Sequence, residues 1–325
     1  PPLLDGEAEA PGWAGSLIKT GAEPPAFLEE EVPVEQPLFV AREQELAQLD
    51  LHLAAALAGQ GRVVFVTGDA GSGKTALLQE FARQAQESHT NLVSAGGHGN
   101  AQTGIGDPYL PFREILGLLT GDIQAQWAAG AMTREQARRL WQTLPLAAQA
   151  LVETGPDLLD TFVLRAALLN RAAAHRVGRP AWLARLEAQP ESKPDTGPGV
   201  TGPQQSDLFE QYTRVLHLLT QRGPLLLVLD DLQWADLGSI SLLFHLGRQL
   251  TGYRILIVGA YRPEEVAVGR ATASGGTGQR ERHPLEPVVH EFQRDFGDIT
   301  VNLGKTGSQD FVEALLDAEP NRLGA

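Results

Sequence analysis

Cysteine is absent from this chain of 325 residues, and methionine occurs once, at Met132. Without cysteine the chain forms neither disulfide bonds nor thiolate metal sites. It also has no apolar run of about 18 residues and no signal-peptide pattern, so we expect no membrane span and a cytoplasmic location. Since the chain begins at Pro1, we expect a segment of a longer polypeptide that carries further domains.

Positive charge is scarce as well, because the chain has 26 Lys and Arg residues against 40 Asp and Glu, a formal net charge of −14. A broad nucleic-acid-binding face is therefore not expected in this segment, and any phosphate binding has to be local. The length is enough for one large domain or two smaller ones with a sizeable apolar core.

One glycine-rich segment matches the pattern G-x-x-x-x-G-K-S/T, the loop that binds the phosphates of a nucleoside triphosphate. Its residues are Gly68, Asp69, Ala70, Gly71, Ser72, Gly73, Lys74 and Thr75. The β-branched run 62–67 before it predicts a buried strand, and the apolar spacing after it predicts a helix. Lys74 would then reach the β- and γ-phosphates, and Thr75 would bind Mg²⁺. The alternative is a glycine-rich turn that matches by chance.

A second segment supplies the acids that such a loop needs. Residues 224–229 are an apolar run that predicts a buried strand, and Asp230 and Asp231 follow it directly. At the carboxyl end of this strand, Asp230 would hold Mg²⁺ through its water shell, and Asp231 would orient the attacking water. The alternative is a solvated turn, which the apolar run before the two acids disfavours.

The amino-terminal part predicts an arm, two helices and two strands around the glycine-rich loop. Residues 1–37, rich in Pro, Gly and Glu, indicate a linker or extended arm. Leucines at helical spacing from Leu46 to Leu57 predict a helix, and a short strand is expected at 92–95.

A long insertion, residues 107–206, separates this strand from the one that ends in the two acids. It is predicted to be mostly helical over 111–185, and residues 187–206 have the composition of a disordered loop. The helical part is expected to break at Gly121, Pro145, Pro156 and Pro180. A helix at 207–221 leads out of the insertion.

The carboxyl-terminal part completes a strand–helix alternation. Asp236 is expected to be the N-cap of a helix that runs to Leu250. The patterns that follow predict a strand at 254–260, a loop at 269–282, a helix at 284–296 and a strand at 299–303. Five strands joined by helical crossovers predict an α/β fold with a parallel, doubly wound sheet.

Three segments together resemble the STAND-type signalling NTPases, a clade of the AAA+-related P-loop ATPases that includes bacterial multidomain regulators and TPR-bearing ATPases. Residues 38–45 are similar to the hhGRExE box of that clade, residues 229–236 to its Walker B segment, and residues 260–262 to its sensor 1. The resemblance runs from about Pro37 to the end of the chain, and Ala41 departs from the glycine usual in the box.

The resemblance implies a nucleotide-binding domain over 38–325, with strand order 5-1-4-3-2 and the triphosphate at the carboxyl ends of the strands. It places Val40 and Arg42 at the nucleotide and makes Arg262 a sensor of the γ-phosphate. An ordinary solvated charge is the alternative for Arg262, and the first turn of a surface helix is the alternative for Arg42.

Other conspicuous residues have simpler interpretations. His98 is expected to be a loop histidine, because no second metal ligand stands at a useful spacing. We expect Asp236 to cap a helix, Trp234 to pack, and the aromatic pair Tyr109 and Phe112 to anchor the insertion in the core.

The favoured function is an ATPase switch that binds ATP or ADP with Mg²⁺ and hydrolyses slowly, with Asp231, Lys74 and Arg262 as catalytic residues. The alternative is a nucleotide-binding oligomerisation module with a structural nucleotide, and a P-loop kinase or motor is a weaker third hypothesis. The expected partners are winged-helix, TPR or DNA-binding domains of the same chain, and a second copy of it when ATP is bound.

Overall fold

The computed structural model describes residues 25–28, 42–100, 108–175, 180–188, 204–271 and 280–305. Val40 and most of the predicted amino-terminal arm lie outside them. The strands of the main sheet are β1 Arg62–Thr67, β2 Val93–His98, β3 Leu225–Asp230, β4 Ile255–Tyr261 and β5 Thr300–Asn302. The helices are α1 Glu43–Leu57, α2 Lys74–Ser88, α3 Leu110–Leu119, α4 Gln124–Ala128, α5 Arg134–Thr154, α6 Arg165–Ala174, α7 Ala181–Ala188, α8 Gln205–Leu219, α9 Leu237–Gly247, α10 Pro263–Val268 and α11 Leu285–Phe296.

The five strands pair in the order β5-β1-β4-β3-β2, and every pair is parallel. This is the predicted order, so the α/β doubly wound fold is confirmed. Because β1, β4 and β3 are neighbours, the segments that follow them emerge side by side at one edge of the sheet. The glycine-rich loop follows β1, the two acids lie at the end of β3, and Arg262 follows β4.

The strands are apolar almost throughout because both faces of the sheet are covered. Val63 and Phe65 of β1 lie in a large apolar cluster with α3, α5, α8, α9 and α11. Val64 and Val66 point to the other face, into a smaller cluster with α1 and α2. The side chains of one strand thus alternate between two separate cores.

The helices between β2 and β3 are α3 to α8, and most of the predicted breaks between them are observed. Gly121, with a φ of +81°, lies between α3 and α4, Pro156 begins a 3-10 turn, and Pro180 precedes α7. The predicted break at Pro145 is wrong, since Pro145 lies inside α5. A proline inside a helix costs about 3 kcal/mol. Along α5, burial of a long apolar face outweighs that local cost.

Several bounds also differ from the sequence predictions. Strand β2 runs to His98 instead of ending at residue 95, so His98 is a strand end and the prediction of a loop histidine is wrong. Helix α9 ends at Gly247, before the predicted Leu250. The predicted loop 269–282 contains a two-residue antiparallel ladder, and α10 was not predicted. Among the residues predicted as a disordered loop, 187–188 belong to α7 and 205–206 to α8.

The described part of the amino-terminal arm packs on the helices of the insertion. Residues Ala26–Leu28 form a 3-10 turn, and Leu28 is buried in the larger apolar cluster. The indole Nε1 of Trp127 donates a hydrogen bond to the Phe27 carbonyl at 3.0 Å. Among the described residues, no helix is long and apolar enough to cross a membrane.

Candidate functional site

The glycine-rich loop joins β1 to α2 and depends on glycine at three places. Gly71 and Gly73 have φ values of +76° and +87°, a region that side chains with a Cβ rarely adopt. A Cβ at Gly68 would lie 2.6 Å from Ser72 Oγ and 3.1 Å from Leu303 Cβ, so a larger residue there would require these side chains to shift. Most residues of the loop and the start of α2 are exposed to solvent, namely Asp69, Ala70, Gly71, Gly73 and Thr75.

Lys74 is the first residue of α2, and its side chain folds back under the loop. Its Nζ donates to the carbonyl oxygens of Gly68 at 2.9 Å and Asp69 at 2.7 Å, and the residue is buried. Burial lowers the pKa of Lys74, and the charge of Arg262 adds to that effect. The carboxylates that oppose the shift are those of Asp230, Asp231 and Asp69. The lysine therefore lies within electrostatic range of both predicted acids and of Arg262.

Thr75 and Asp230, the two side chains assigned to Mg²⁺ from the sequence, are in direct contact. Thr75 Oγ1 donates to Asp230 Oδ2 at 2.5 Å across the gap between α2 and the end of β3. Mg²⁺ prefers oxygen ligands and is commonly held by one or two protein oxygens together with waters and substrate phosphates. One hydroxyl and one carboxylate that meet beside the glycine-rich loop fit that donor set. In the described ranges, no group of three or more His, Cys, Asp or Glu side chains could hold a metal by itself.

Asp231 has a backbone conformation that is uncommon for a residue other than glycine. Its φ of 52° and ψ of 44° lie in the left-handed region, which aspartate tolerates better than most residues. Its N–H donates to Asp230 Oδ1 at 2.8 Å, and its own Oδ1 accepts from Gln233 Nε2 at 2.7 Å. This turn separates the two acids, so that Asp230 meets Thr75 while Asp231 is held from the opposite side.

Arg262 directly follows β4, as predicted, and precedes α10. Its Nη1 pairs with Glu265 Oε1 at 2.7 Å, and its Nη2 lies 3.9 Å from Asp231 Oδ1. The side chain is 31% exposed, and its Nε has no hydrogen-bond partner among the described residues. Arg262 is therefore not a solitary surface charge, because it lies beside the second acid with an unused donor.

Arg42 precedes α1 and supports the glycine-rich loop from behind. Its guanidinium donates to Glu45 Oε1 at 2.9 Å, to the Leu303 carbonyl at 3.2 Å and to the Ser72 carbonyl at 3.3 Å. Arg42 is buried, so the alternative of a surface helix turn is wrong for this residue. Its contact with nucleotide stays a prediction, as does that of Val40, which lies outside the described residues.

Further contacts around the site were not predicted. His98, at the end of β2, pairs with Glu114 of α3, with Nδ1 and Oε2 2.8 Å apart. Asp236 caps α9 as predicted, accepting from Ser239 N–H at 3.0 Å, and it also accepts from the Tyr109 N–H at 3.1 Å. The start of the insertion is thereby fastened to the segment that carries the acids.

The aromatic anchor at the start of the insertion is also present. Tyr109 stacks on Phe162 with ring centroids 5.1 Å apart, and Phe112 meets Tyr212 edge to face at 5.6 Å. Trp234, which was predicted to pack, is 40% exposed. The 3-10 turn that carries it places it at the surface beside the acids.

A glycine-rich loop after β1, adjacent acids after β3 and a parallel sheet in this strand order define a P-loop NTPase of the AAA+ type. Residues 38–258 match the AAA ATPase domain family, and the chain belongs to that family.

Two similar proteins extend the comparison. An uncharacterised protein of Rhizobium meliloti (strain 1021) is 26% identical over 235 residues, which are 69% of this chain and 18% of that protein. The chain thus spans less than a fifth of the relative's length. The solved structure of the Aeropyrum pernix ORC1 protein in complex with DNA matches 88% of this chain and 51% of its own, at 18% identity and a TM-score of 0.39.

Proposed function

We propose that this chain is the ATP-binding and slowly hydrolysing switch domain of a larger signalling or transcriptional regulator of the STAND class. The observation that carries the proposal is the meeting of five side chains from three neighbouring strand ends. They are Lys74 and Thr75 after β1, Asp230 and Asp231 at the end of β3, and Arg262 after β4. Membership of the AAA ATPase domain family supports nucleotide binding in general.

Each side chain has a role that follows from its chemistry. The loop N–H groups and Lys74 would bind the phosphates, and Lys74 would exchange the carbonyls of Gly68 and Asp69 for phosphate oxygens. Thr75 and Asp230 would hold Mg²⁺, which supplies charge neutralisation at the phosphates when it is bound. Asp231 would orient and polarise the attacking water. Arg262 would contact the γ-phosphate, because a guanidinium pairs well with phosphate oxygens.

The test compares two neighbouring carboxylates that differ in their contacts. Asp230→Asn should weaken Mg²⁺-dependent ATP binding, since it removes the charge beside Thr75. Asp231→Asn should leave binding nearly intact and lower kcat by about a hundred-fold, the usual scale for loss of an acid–base group. Glu291→Gln, which removes a partly exposed carboxylate paired with Arg294 on α11, is the control and should behave as the parent.

The measurements are ATP affinity by calorimetry with and without Mg²⁺, and phosphate release. Lys74→Ala should bind ATP far more weakly than the parent, because it removes the cation nearest the loop. If both aspartate variants bind and turn over like the parent, the assignment of the acids is wrong. Unchanged ATP affinity in Lys74→Ala would refute the assignment of the loop.

The second candidate is a nucleotide-binding oligomerisation module with a structural nucleotide and negligible turnover. It is favoured by the contacts of the two cations, since Lys74 is held by two carbonyls and Arg262 by Glu265. Nucleotide extraction from the purified protein, followed by a turnover assay with Mg²⁺, separates the two. Tight binding without turnover in the parent would favour the structural role.

The partners are part of the same proposal. The nucleotide-binding domain would extend over 38–325. Winged-helix, TPR or DNA-binding domains of the same polypeptide would respond to whether ATP or ADP is bound. Binding of ATP would favour self-association. Sedimentation with ADP and with ATP measures that association, and equal sedimentation in both would argue against it.

A further inference from the structure

The side chain of Gln233 joins the two strand ends that carry Asp231 and Arg262. Its Nε2 donates to Asp231 Oδ1 at 2.7 Å, and its Oε1 accepts from the Arg262 backbone N–H at 3.2 Å. A carboxylate can only accept and an N–H can only donate, so the amide has one possible orientation. Gln233 is 2% exposed, and a buried amide with both ends paired fixes the distance between its partners.

The backbone of Gln233 is held as firmly as its side chain. Its carbonyl accepts from His283 Nε2 at 3.0 Å, while His283 Nδ1 accepts from the Leu285 N–H at 3.2 Å. Because Nδ1 is an acceptor, Nε2 carries the proton and the imidazole tautomer is determined. His283 is buried too. Gln233 is therefore attached to β3, to β4 and to the start of α11.

The contact also decides which oxygen of Asp231 remains available. The hydrogen bond from Gln233 and the nearest approach of Arg262 both involve Oδ1. Among the described residues no hydrogen bond to Asp231 Oδ2 is present, which leaves that oxygen for solvent. The hydrogen bond at Oδ1 restricts rotation of the Asp231 carboxylate, so one direction of Oδ2 is favoured over the others.

We propose that Gln233 is a positioning residue that orients the Asp231 carboxylate and couples it to the backbone at Arg262. A shift of the backbone at Arg262 would then move the Asp231 carboxylate, which orients the water. A shift of Asp231 would likewise move the backbone at Arg262. This inference rests on the proposed function of Asp231 and Arg262. Gln233 itself is not a catalytic residue, because it acts through Asp231.

The decisive variant is Gln233→Glu, which keeps the shape of the side chain and changes one hydrogen bond. The introduced carboxylate can still accept from the Arg262 N–H, but when ionised it cannot donate to Asp231. Two carboxylates in contact raise the pKa of one of them, and the protonated form donates as the amide does. The charged or titratable groups facing the pair are Arg262, Lys74, Glu265, Asp230 and His283.

In turnover assays at pH 8, Gln233→Glu should lower kcat at least about ten-fold while the affinities for ATP and ADP stay within about two-fold of the parent. The ratio of its kcat to that of the parent should rise as the pH falls toward 6. Gln233→Leu should also have a low kcat, but without that recovery. A kcat of Gln233→Glu equal to the parent's at pH 8 would overturn the positioning role, as would an equal loss at both pH values.

A second measurement does not depend on hydrolysis. Gln233→Glu should lower the Tm at pH 8 by about 2–6 °C, and adding Asp231→Asn should restore most of it, because an asparagine amide can donate to the introduced carboxylate. Additive losses in the double variant would show that the two side chains are not coupled, and would refute the inference. If the parent has no turnover, the proposed function fails, and this cycle alone decides whether the coupling exists.

Discussion

Removing the guanidinium of Arg262 should separate the binding of ATP from that of ADP. Arg262 follows β4, and its Nη2 lies 3.9 Å from Asp231 Oδ1. Its Nε has no hydrogen-bond partner among the described residues. If it contacts the γ-phosphate, only ATP offers that group. Arg262→Ala should therefore weaken ATP binding and leave ADP binding nearly unchanged, because a side chain discriminates between two ligands only if it contacts them differently.

The expected loss of ATP affinity follows from the proposed phosphate contact and from the weakness of the ion pair that Arg262 already makes. A hydrogen bond to a charged group contributes about 1.5–3 kcal/mol, which corresponds to a loss of about ten- to more than a hundred-fold in affinity. The ion pair with Glu265 uses one of five donors, and such a partly exposed pair is worth about 0–1 kcal/mol. The phosphate contact therefore does not require breaking it, and the stability of Arg262→Ala should change by no more than about 1 kcal/mol.

Calorimetric titration of both nucleotides with Mg²⁺ measures the effect, with thermal unfolding as a check on folding. Glu265→Gln is the matched control, because it removes the charge that competes for Arg262 and keeps the side-chain shape. It should strengthen ATP binding slightly or leave it unchanged. Equal losses of ATP and ADP affinity in Arg262→Ala would show that the arginine only stabilises the fold.

Three further predictions follow from the packing around the site and at the opposite end of the sheet. Gly97→Ala should cost about 1–3 kcal/mol of stability, because its Cβ would lie 2.0 Å from the Pro111 carbonyl oxygen; Gly96→Ala, with its nearest atom at 3.8 Å, is the control, and equal Tm values would contradict the reasoning. Burial lowers the pKa of His217 to about 4 in the folded protein, whereas in the unfolded chain it is about 6.5. Below pH 6.5 the unfolded chain therefore binds more protons than the folded one, and the free energy of unfolding decreases as the pH is lowered from about 6.5 to about 4. His217→Phe should reduce that fall in Tm, and an unchanged slope would contradict it. Arg42→Met should weaken ATP and ADP binding alike, because Arg42 holds the glycine-rich loop at the Ser72 carbonyl, and a loss for ATP alone in calorimetry would argue against this.

The fold could be predicted closely because its signals are local and repeated. Apolar strands are easily recognised when both sheet faces are covered, and the resemblance to the STAND-type NTPases implied the strand order that is observed. The error at Pro145 has the opposite origin. Proline is a local signal of a helix end, whereas the burial that keeps α5 continuous comes from residues distant in sequence.

The candidate site was predictable as a set of residues but not as a set of contacts. The strand order brings Asp231 and Arg262 to one edge of the sheet. The left-handed turn at Asp231 determines which residues contact the carboxylate oxygens of Asp230 and Asp231, and no sequence pattern predicts that turn. His283 lies 50 residues from Gln233, so neither composition nor spacing could connect them.

The larger apolar cluster has a consequence for protein engineering. It contains Phe65 and Leu227 from the sheet together with Leu151 of α5 and Leu186 of α7. The helices between β2 and β3 are therefore not an appendage that could be trimmed to yield a minimal domain. A version lacking them would leave α9 and α11 to cover that face of the sheet, so the remaining apolar surface would be exposed and the protein should precipitate. Grafting this insertion onto a relative would require transplanting the matching strand residues as well.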